Sequence, residues 1–409
     1  MKEYWQENKY ELITTFFIFT NLFPAWFPQW MYYVSFAMIW MKFAKFEKVS
    51  HPKAGLIWGL IIFLWLTTIV NGMLDLRLAI FSFILYLFRP TCSAELHQYK
   101  KKLMKNIYWG FGIVTLANTY AKWAGINMKQ GAEWMEAHRG YAEFSGFATH
   151  PMWTSCAAAI STTFFVSLVF RERELKKWQK YACYGMILVS LYITMISASR
   201  SAFFLSLACS ALIIWMQTDR ITSLMRNALI VGFTALFFAP ILMDNSAAML
   251  NKRNALKVTT KNTSRDGLWA ERMAEFESSP IIGIGFAAHG VGAQKTVGRN
   301  ESGGGFITVL AQTGIIGVIF IALIWAAATV MPKRIGRNPD MVLIYSSFVF
   351  FSIHSIIEGY MFQGGWYLCL VIWLIIGIMI EHKTLPEEAY NLEDNMLLEV
   401  RNDTGSGRG

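Results

Sequence analysis

Charge is what this chain has least of. Only 16% of its 409 residues are Asp, Glu, Lys or Arg, against 55% hydrophobic ones, whereas a soluble globular domain carries about 25% charged residues. That balance excludes a string of soluble domains and leaves a polytopic membrane protein. Cysteine is scarce as well. Cys92, Cys156, Cys183, Cys209 and Cys369 show no CxxC or other metal-ligand spacing, which excludes a disulfide framework and a zinc module. No metal or cofactor is expected. A P-loop, an internal repeat and a cleavable leader are missing too. The opening "MKEYWQENKY" carries both charge signs, and the apolar run after it has no small-residue cleavage site, so it reads as a retained first span. The net charge of +10 is no nucleic-acid footprint, because the basic residues are scattered between apolar runs.

What the chain does have is a series of those runs. They fall near residues 11 to 27, 29 to 43, 54 to 71, 76 to 89, 106 to 125, 152 to 170, 180 to 198, 201 to 217, 225 to 243, 305 to 330, 340 to 359 and 365 to 381. About twenty apolar residues cross a bilayer as a helix. The expected fold is therefore all-α, a polytopic integral membrane protein with about twelve transmembrane helices and a partly helical outer loop region. Residues 1 to 381 form one transmembrane domain, with outer loops at 126 to 151 and 244 to 304, and residues 382 to 409 form a cytoplasmic tail. The loops "KFAKFEKVSHPK", "RPTCSAELHQYKKKLMK", "RERELKKWQK" and "MPKRIGRNPD" are all rich in Lys and Arg. The positive-inside rule makes them cytoplasmic and puts both termini inside. The closing "TGSGRG" reads as a frayed tail or an appended remnant.

One charge stands between two apolar runs, in "SASRSAFFLSL". A cation at bilayer depth costs roughly 2.5 to 3.5 kcal/mol on insertion scales, but Arg200 falls at the outer end of the seventh run. There it faces an external cavity, or else snorkels or caps the preceding helix. In the second outer loop, Lys252, Arg253, Lys257, Lys261 and Arg265 stand against a single acid, Asp244. That cluster is either a solvated basic face or a site for an anion, and the anions at an outer membrane face are lipid phosphates and pyrophosphates. Arginine suits these with its fixed charge and forked donors.

Downstream, Leu268, Trp269, Met273 and Phe276 recur with a helical period, which predicts an amphipathic helix on the membrane surface starting near Arg265 and ended by Pro280. "GIGFAAHG" after it reads as a flexible turn. Arg139 in the first outer loop, His150 before Pro151, Arg272, His289 and Arg299 in the second loop, and Glu358 at the outer end of the eleventh run are further candidates for substrate contact, as are Lys252 and Arg253. His354 reads as a buried, satisfied side chain.

Four stretches, "SGFATHPM", "SASRSAFF", "RDGLWAERMAEFESSPIIGIGF" and "GFITVLAQTGIIG", taken in order over roughly residues 140 to 330, resemble the bacterial O-antigen ligase and O-antigen polymerase superfamily. The resemblance implies a helical glycosyltransferase of the inner membrane. Such an enzyme works at the periplasmic face on undecaprenyl-diphosphate-linked glycans, with neither nucleotide sugar nor metal. Arg200 and Arg265 match the family's two functional arginines and would hold the lipid diphosphate. Ligases carry a histidine before the Gly-rich start of the tenth span, and this chain reads "GRNESGGGF" there, with Glu301 and Ser302 instead. Glu301 is then the candidate base for activating the acceptor hydroxyl, with an ion pair to Arg299 as its alternative.

The missing histidine favours a polymerase, whose acceptor is a second lipid-linked repeat unit. A ligase, whose acceptor is lipid A core, is the runner-up, and a lipid-linked oligosaccharide flippase is the reading from another class. Membrane lipids are expected partners, nucleic acid is not, and a chain-length regulator is left open.

Overall fold

The computed structural model describes residues 2–46, 51–129, 143–170, 175–218, 264–297, 304–329, 335 and 338–383. Twelve helices lie among them: α1 Lys2–Phe19, α2 Gln29–Phe46, α3 Ala54–Val70, α4 Leu76–Phe88, α5 Ala94–Trp123, α6 Pro151–Phe170, α7 Lys177–Ile196, α8 Arg200–Gln217, α9 Ser264–Ser278, α10 Gly305–Ala328, α11 Pro339–Ile357 and α12 Tyr367–His382. Among the described residues the protein is mostly helical, at 77%. Two two-residue strands, β1 Ala288–His289 and β2 Thr296–Val297, pair antiparallel with Ala288 opposite Val297. Four helices, α6, α8, α10 and α11, are long and apolar enough to cross a membrane, and α3, α4 and α12 are shorter apolar helices, consistent with a membrane protein. The apolar run at 225 to 243 lies outside the described residues.

Local chemistry sets several helix ends. The Asp75 carboxylate accepts from the Arg77 amide at 2.7 Å and starts α4, the Ser93 hydroxyl accepts from Leu96 N at 3.3 Å and starts α5, and Asn338 followed by Pro339 starts α11. Two boundaries differ from the apolar runs. α1 begins nine residues earlier than the run at residue 11 and stops at the 3₁₀ turn Thr20–Leu22, ahead of Pro24 and Pro28, which cannot continue a helix. α5 is 30 residues long, about 45 Å at 1.5 Å per residue. Its polar first half, "AELHQYKKKLMK", is as helical as its apolar half, since Lys, Glu, Leu and Gln are good helix formers.

α12 is buried from Tyr367 to Glu381, as expected for a helix apolar on all sides. α6 packs against α5, α7 and α8 and is nearly as enclosed. Large apolar side chains such as Ile62, Leu66, Ile113, Ile319 and Leu323 lie exposed around the periphery, an apolar surface of the kind that meets lipid.

The bundle has two distinct ends. At one, Asn21 bonds Gly365 and Tyr367, Asn71 bonds Gly283, and the Phe144 amide donates to Ile196 O. This end therefore collects the C-termini of α1, α3 and α7 and the N-termini of α8 and α12. At the other end Glu381 is fully buried. Its carboxylate accepts from Lys100 Nζ at 2.6 Å and from the Thr91 amide at 2.8 Å, and lies 3.0 Å from His97 Nδ1. Lys100 also donates to Arg89 O.

Candidate functional site

The site is built on α9, which lies at the Arg200 end. The expected amphipathic helix is present over Ser264–Ser278, with Arg265 as its second residue; the side chain of Arg265 is outside the described residues. Trp269 and Met273 are exposed, and the face turned to the protein is polar: Arg272 and Glu275 are each 3% exposed. Arg272 Nη1 donates to Glu275 Oε2 at 2.7 Å and reaches Ala288 O at 3.5 Å, while Glu275 Oε1 accepts from the Gly290 amide at 2.7 Å. The pair thus clamps the segment after α9 onto the helix. Arg272, a candidate for substrate contact, forms this clasp and also lines the neighbouring pocket.

The segment after α9 is ordered, and this corrects the flexible-turn expectation. α10 is broken at Gly314, which has φ 61° and ψ −164°. Residues 280 to 285 fill the break. Ile284 N and Gly285 N donate to Ala311 O and Gln312 O at 3.0 and 3.1 Å, and Ile315 N and Ile316 N donate to Pro280 O and Ile281 O at 2.9 and 3.2 Å. Four backbone groups around the break, the carbonyls of Ala311 and Gln312 and the amides of Ile315 and Ile316, thereby gain partners. The glycines of "GIG" are needed for contact. A Cβ at Gly283 would fall 2.3 Å from Gln312 C, at a φ of +72°, so this GxG is a packing feature and not a phosphate loop.

Between this insert, α9 and the start of α4 lies a pocket of about 370 Å³, the open mouth included. Its polar lining comes from Arg77, Arg272, His289, Thr308, Gln312 and Gln363. Buried rings of Phe286, stacked on Phe81, and of Phe362, tilted against it, back the pocket. Arg77 Nε lies 3.9 Å from Asp75. His289 Nδ1 lies 2.9 Å from Thr296 Oγ1 and 3.0 Å from Thr296 O.

Comparison of the chain with protein-family models finds no match, and comparison with curated proteins finds none.

Arg200 is exposed and is the first residue of α8. The carbonyl end of α7 is served by Ser197, whose amide and hydroxyl both bond Ile193 O, so Arg200 does not cap it. A cation at a helix N-terminus opposes the helix dipole, and no stabilising role explains this one. Among the described residues, two non-glycines have left-handed backbones, Ala198 at φ 56° and Ala287 at φ 58°. One precedes Arg200 by two positions and the other lines the pocket. Strain of this kind, about 1–2 kcal/mol per residue, gathers where function over-rules local preference.

The remaining candidates divide plainly. His150 is exposed, and its Nδ1 accepts from Met152 N at 3.2 Å at the start of α6, a hydrogen-bonded cap. Glu358 is half-buried and ends α11. His354 is fully buried, stacked between Phe350 and Tyr360, with Nδ1 3.2 Å from Tyr360 Oη and 3.6 Å from Cys156 Sγ. Burial pushes the Tyr360 phenol well above its ordinary value, with Cys156 and Glu358 adding to it, so it stays protonated. Arg139, Lys252, Arg253, Arg299 and Glu301 lie outside the described residues.

Sequence reasoning missed Arg77, Thr308, Gln312 and Gln363. Gln312 left one trace, a polar residue in the apolar run "FITVLAQTGIIG" beside the break glycine. Gln363 left none.

Proposed function

We propose that the protein is a membrane glycosyltransferase of about twelve spans, resident in the bacterial inner membrane with the Arg200 end facing the periplasm. It transfers a glycan from undecaprenyl diphosphate to a hydroxyl of another lipid-linked repeat unit, acting as an O-antigen or polysaccharide polymerase. The observation that carries this reading is Arg200 itself, exposed at the bundle end that also holds α9 and Arg265, against its helix dipole and two positions after the left-handed Ala198. The opposite end bears Arg89, Lys100, Lys101, Lys102 and Lys105, which the positive-inside rule assigns to the cytoplasm.

The chemistry follows from charge. As the glycosidic bond to the lipid diphosphate breaks, negative charge grows on the leaving group, and fixed guanidinium groups hold it more tightly in the transition state than in the ground state. Glu301 is the proposed base for the acceptor hydroxyl, and neither metal nor cofactor is needed for such a step.

A transporter is the second reading, because a broken helix such as α10 is typical of secondary transporters. There the freed backbone groups hold ions or substrate. Here residues 280 to 285 bond two amides and two carbonyls at the break; among the described residues the buried charges Arg89, Lys100, Glu143, Arg272, Glu275 and Glu381 sit at the bundle ends, and Glu11 in α1 faces Lys42 at 3.8 Å. That distribution favours the transferase.

The glycan profile of a strain lacking the protein tests the proposal. A single repeat unit on lipid A core is the expected result. Bare core with lipid-linked polymer accumulating would make the protein the ligase, and lipid-linked units trapped on the cytoplasmic face would make it a flippase.

A further inference from the structure

The two described ends of the first outer loop meet beside the end of α7. Met128 N donates to Gly146 O at 2.9 Å, the Asn127 amide donates to Glu143 O at 3.1 Å, and Asn127 Oδ1 accepts from both the amide and the hydroxyl of Ser145 at 3.0 Å. Lys129 pairs with Glu143 across the same junction. A side chain from α5 anchors this segment to the bundle. Asn118, 1% exposed, accepts from Phe147 N at 3.0 Å and donates to Val114 O at 3.0 Å. Between them Gly146 has φ +59°, and a Cβ there would fall 2.0 Å from Asn118 Oδ1, so the close approach needs glycine. From α6, the Thr154 hydroxyl donates to Ser145 O at 2.6 Å.

The anchored segment reaches the turn that carries Arg200. Phe144 N donates to Ile196 O, the last residue of α7, at 3.3 Å. The buried Phe144 ring packs with Ala121, Ala158, Ile193 and Ile196 in a small core separate from the main one. Two residues beyond Ile196 stands the left-handed Ala198, and two beyond that Arg200 opens α8. The bonds made by Ser197 and Ala198 run back into α7, and the Ser199 side chain caps nothing. The hold on this turn from outside its own hairpin therefore comes through Phe144. A left-handed alanine persists only where its surroundings over-determine it. A buried amide in the apolar half of α5 is costly unless bonded, and this one is bonded to the segment that does the holding.

We infer that Asn118 is a positioning residue for Arg200, acting through residues 144 to 147 and the small core beneath the α7–α8 turn. A misplacement of about 1 Å caused far from the chemistry can cost about 100-fold in rate. What Arg200 does for a diphosphate rests on the transferase reading; the positional link itself does not.

The test uses the full chain in detergent. Hydrogen exchange of the Phe144, Ser197, Ala198 and Phe203 amides is compared in the wild type, in Asn118→Leu, which keeps side-chain volume and removes both bonds, and in Asn118→Asp, which keeps the acceptor for Phe147 N. Asn118→Leu is expected to speed exchange about tenfold, and Asn118→Asp to recover most of the protection. Titration calorimetry with inorganic pyrophosphate gives the second readout. Asn118→Leu and Arg200→Ala each weaken binding about threefold to tenfold, and the combined variant binds no more weakly than Arg200→Ala, because a residue that acts through another adds nothing once the other is gone. Should Asn118→Leu fail to fold, Thr154→Val, which releases Ser145 O, replaces it with the same expectations. Unchanged exchange, or losses of binding that add, overturns the inference. Exchange that follows Asn118 in a wild-type background that binds no pyrophosphate retains the positional link and removes the diphosphate reading.

Discussion

The amide of Gly285 donates to the carbonyl of Gln312 at 3.1 Å, and this bond joins the insert after α9 to a span helix that would otherwise end in unpaired backbone. The segment and the break are made for each other. Gly283 lies at the tightest point, with φ +72° and room for no Cβ. Gly283→Ala combines a left-handed alanine, about 1–2 kcal/mol, with an overpacking cost of about 1–3 kcal/mol. The expected result is a fall in the detergent thermal midpoint or loss of folded protein. Gly267→Ala on exposed α9, where a Cβ meets nothing within 4 Å, leaves the midpoint unchanged or slightly higher.

The Arg272–Glu275 clasp predicts an asymmetric mutational pattern. Arg272→Met strands a buried carboxylate and costs about 3–5 kcal/mol, whereas Arg272→Met combined with Glu275→Met restores much of it. Hydrogen exchange across residues 286 to 297 reads this out, rising in the single variant and less in the double. Equal exchange in both would assign Arg272 a role other than the clasp.

At the far end, Glu381 serves Lys100, His97 and Thr91 at once, tying the last turn of α12 to the start of α5. Glu381→Gln leaves Lys100 buried without its counter-charge and is expected to cost about 3–5 kcal/mol, seen as reduced yield of monodisperse protein. Ser93→Ala, which removes the α5 cap and an exposed hydrogen bond to Glu95, costs about 1 kcal/mol.

Arg200→Ala is expected to abolish transfer and leave the fold intact, since the side chain is exposed and serves no helix end. The check is glycan chain length in cells, paired with size-exclusion behaviour of the purified variant. Wild-type chain length would remove Arg200 from the mechanism.

His51, between α2 and α3, supplies a pH dependence. Its Nδ1 accepts from Lys53 N at 3.0 Å. Burial holds the imidazole below its ordinary value, with Glu381 opposing and Lys53 and Lys100 reinforcing the shift. The folded state binds the proton less well than the unfolded one, so its contribution is complete above about pH 6.5 and is lost as the pH falls toward the depressed folded value. The thermal midpoint of the wild type should drop more between pH 7.5 and 5.5 than that of His51→Gln.

Much of the helical plan is a local property, and it was readable from the chain alone. Apolar runs located the cores of α2, α3, α4, α6, α7, α8, α10, α11 and α12 to within a few residues, because burial of consecutive apolar side chains needs no knowledge of partners. The period of Leu268, Trp269, Met273 and Phe276 located α9 for the same reason. The polar start of α5 escaped because helix propensity without an apolar pattern leaves no mark on hydropathy.

What tertiary structure alone decided are the relationships between distant residues. Lys100 and Glu381 are 281 positions apart, and no periodicity announces their pairing. Arg272 is a candidate for substrate contact by its place in the chain, and only the structure shows that Glu275 and Ala288 hold it beside the pocket it lines. The break in α10 became tolerable only when residues 280 to 285 arrived to satisfy its backbone. Composition and period dictate which segments become helices, because those depend on each residue and its near neighbours; which buried charge meets which carboxylate, and where a pocket opens, depends on desolvation, and that is set only when the helices pack.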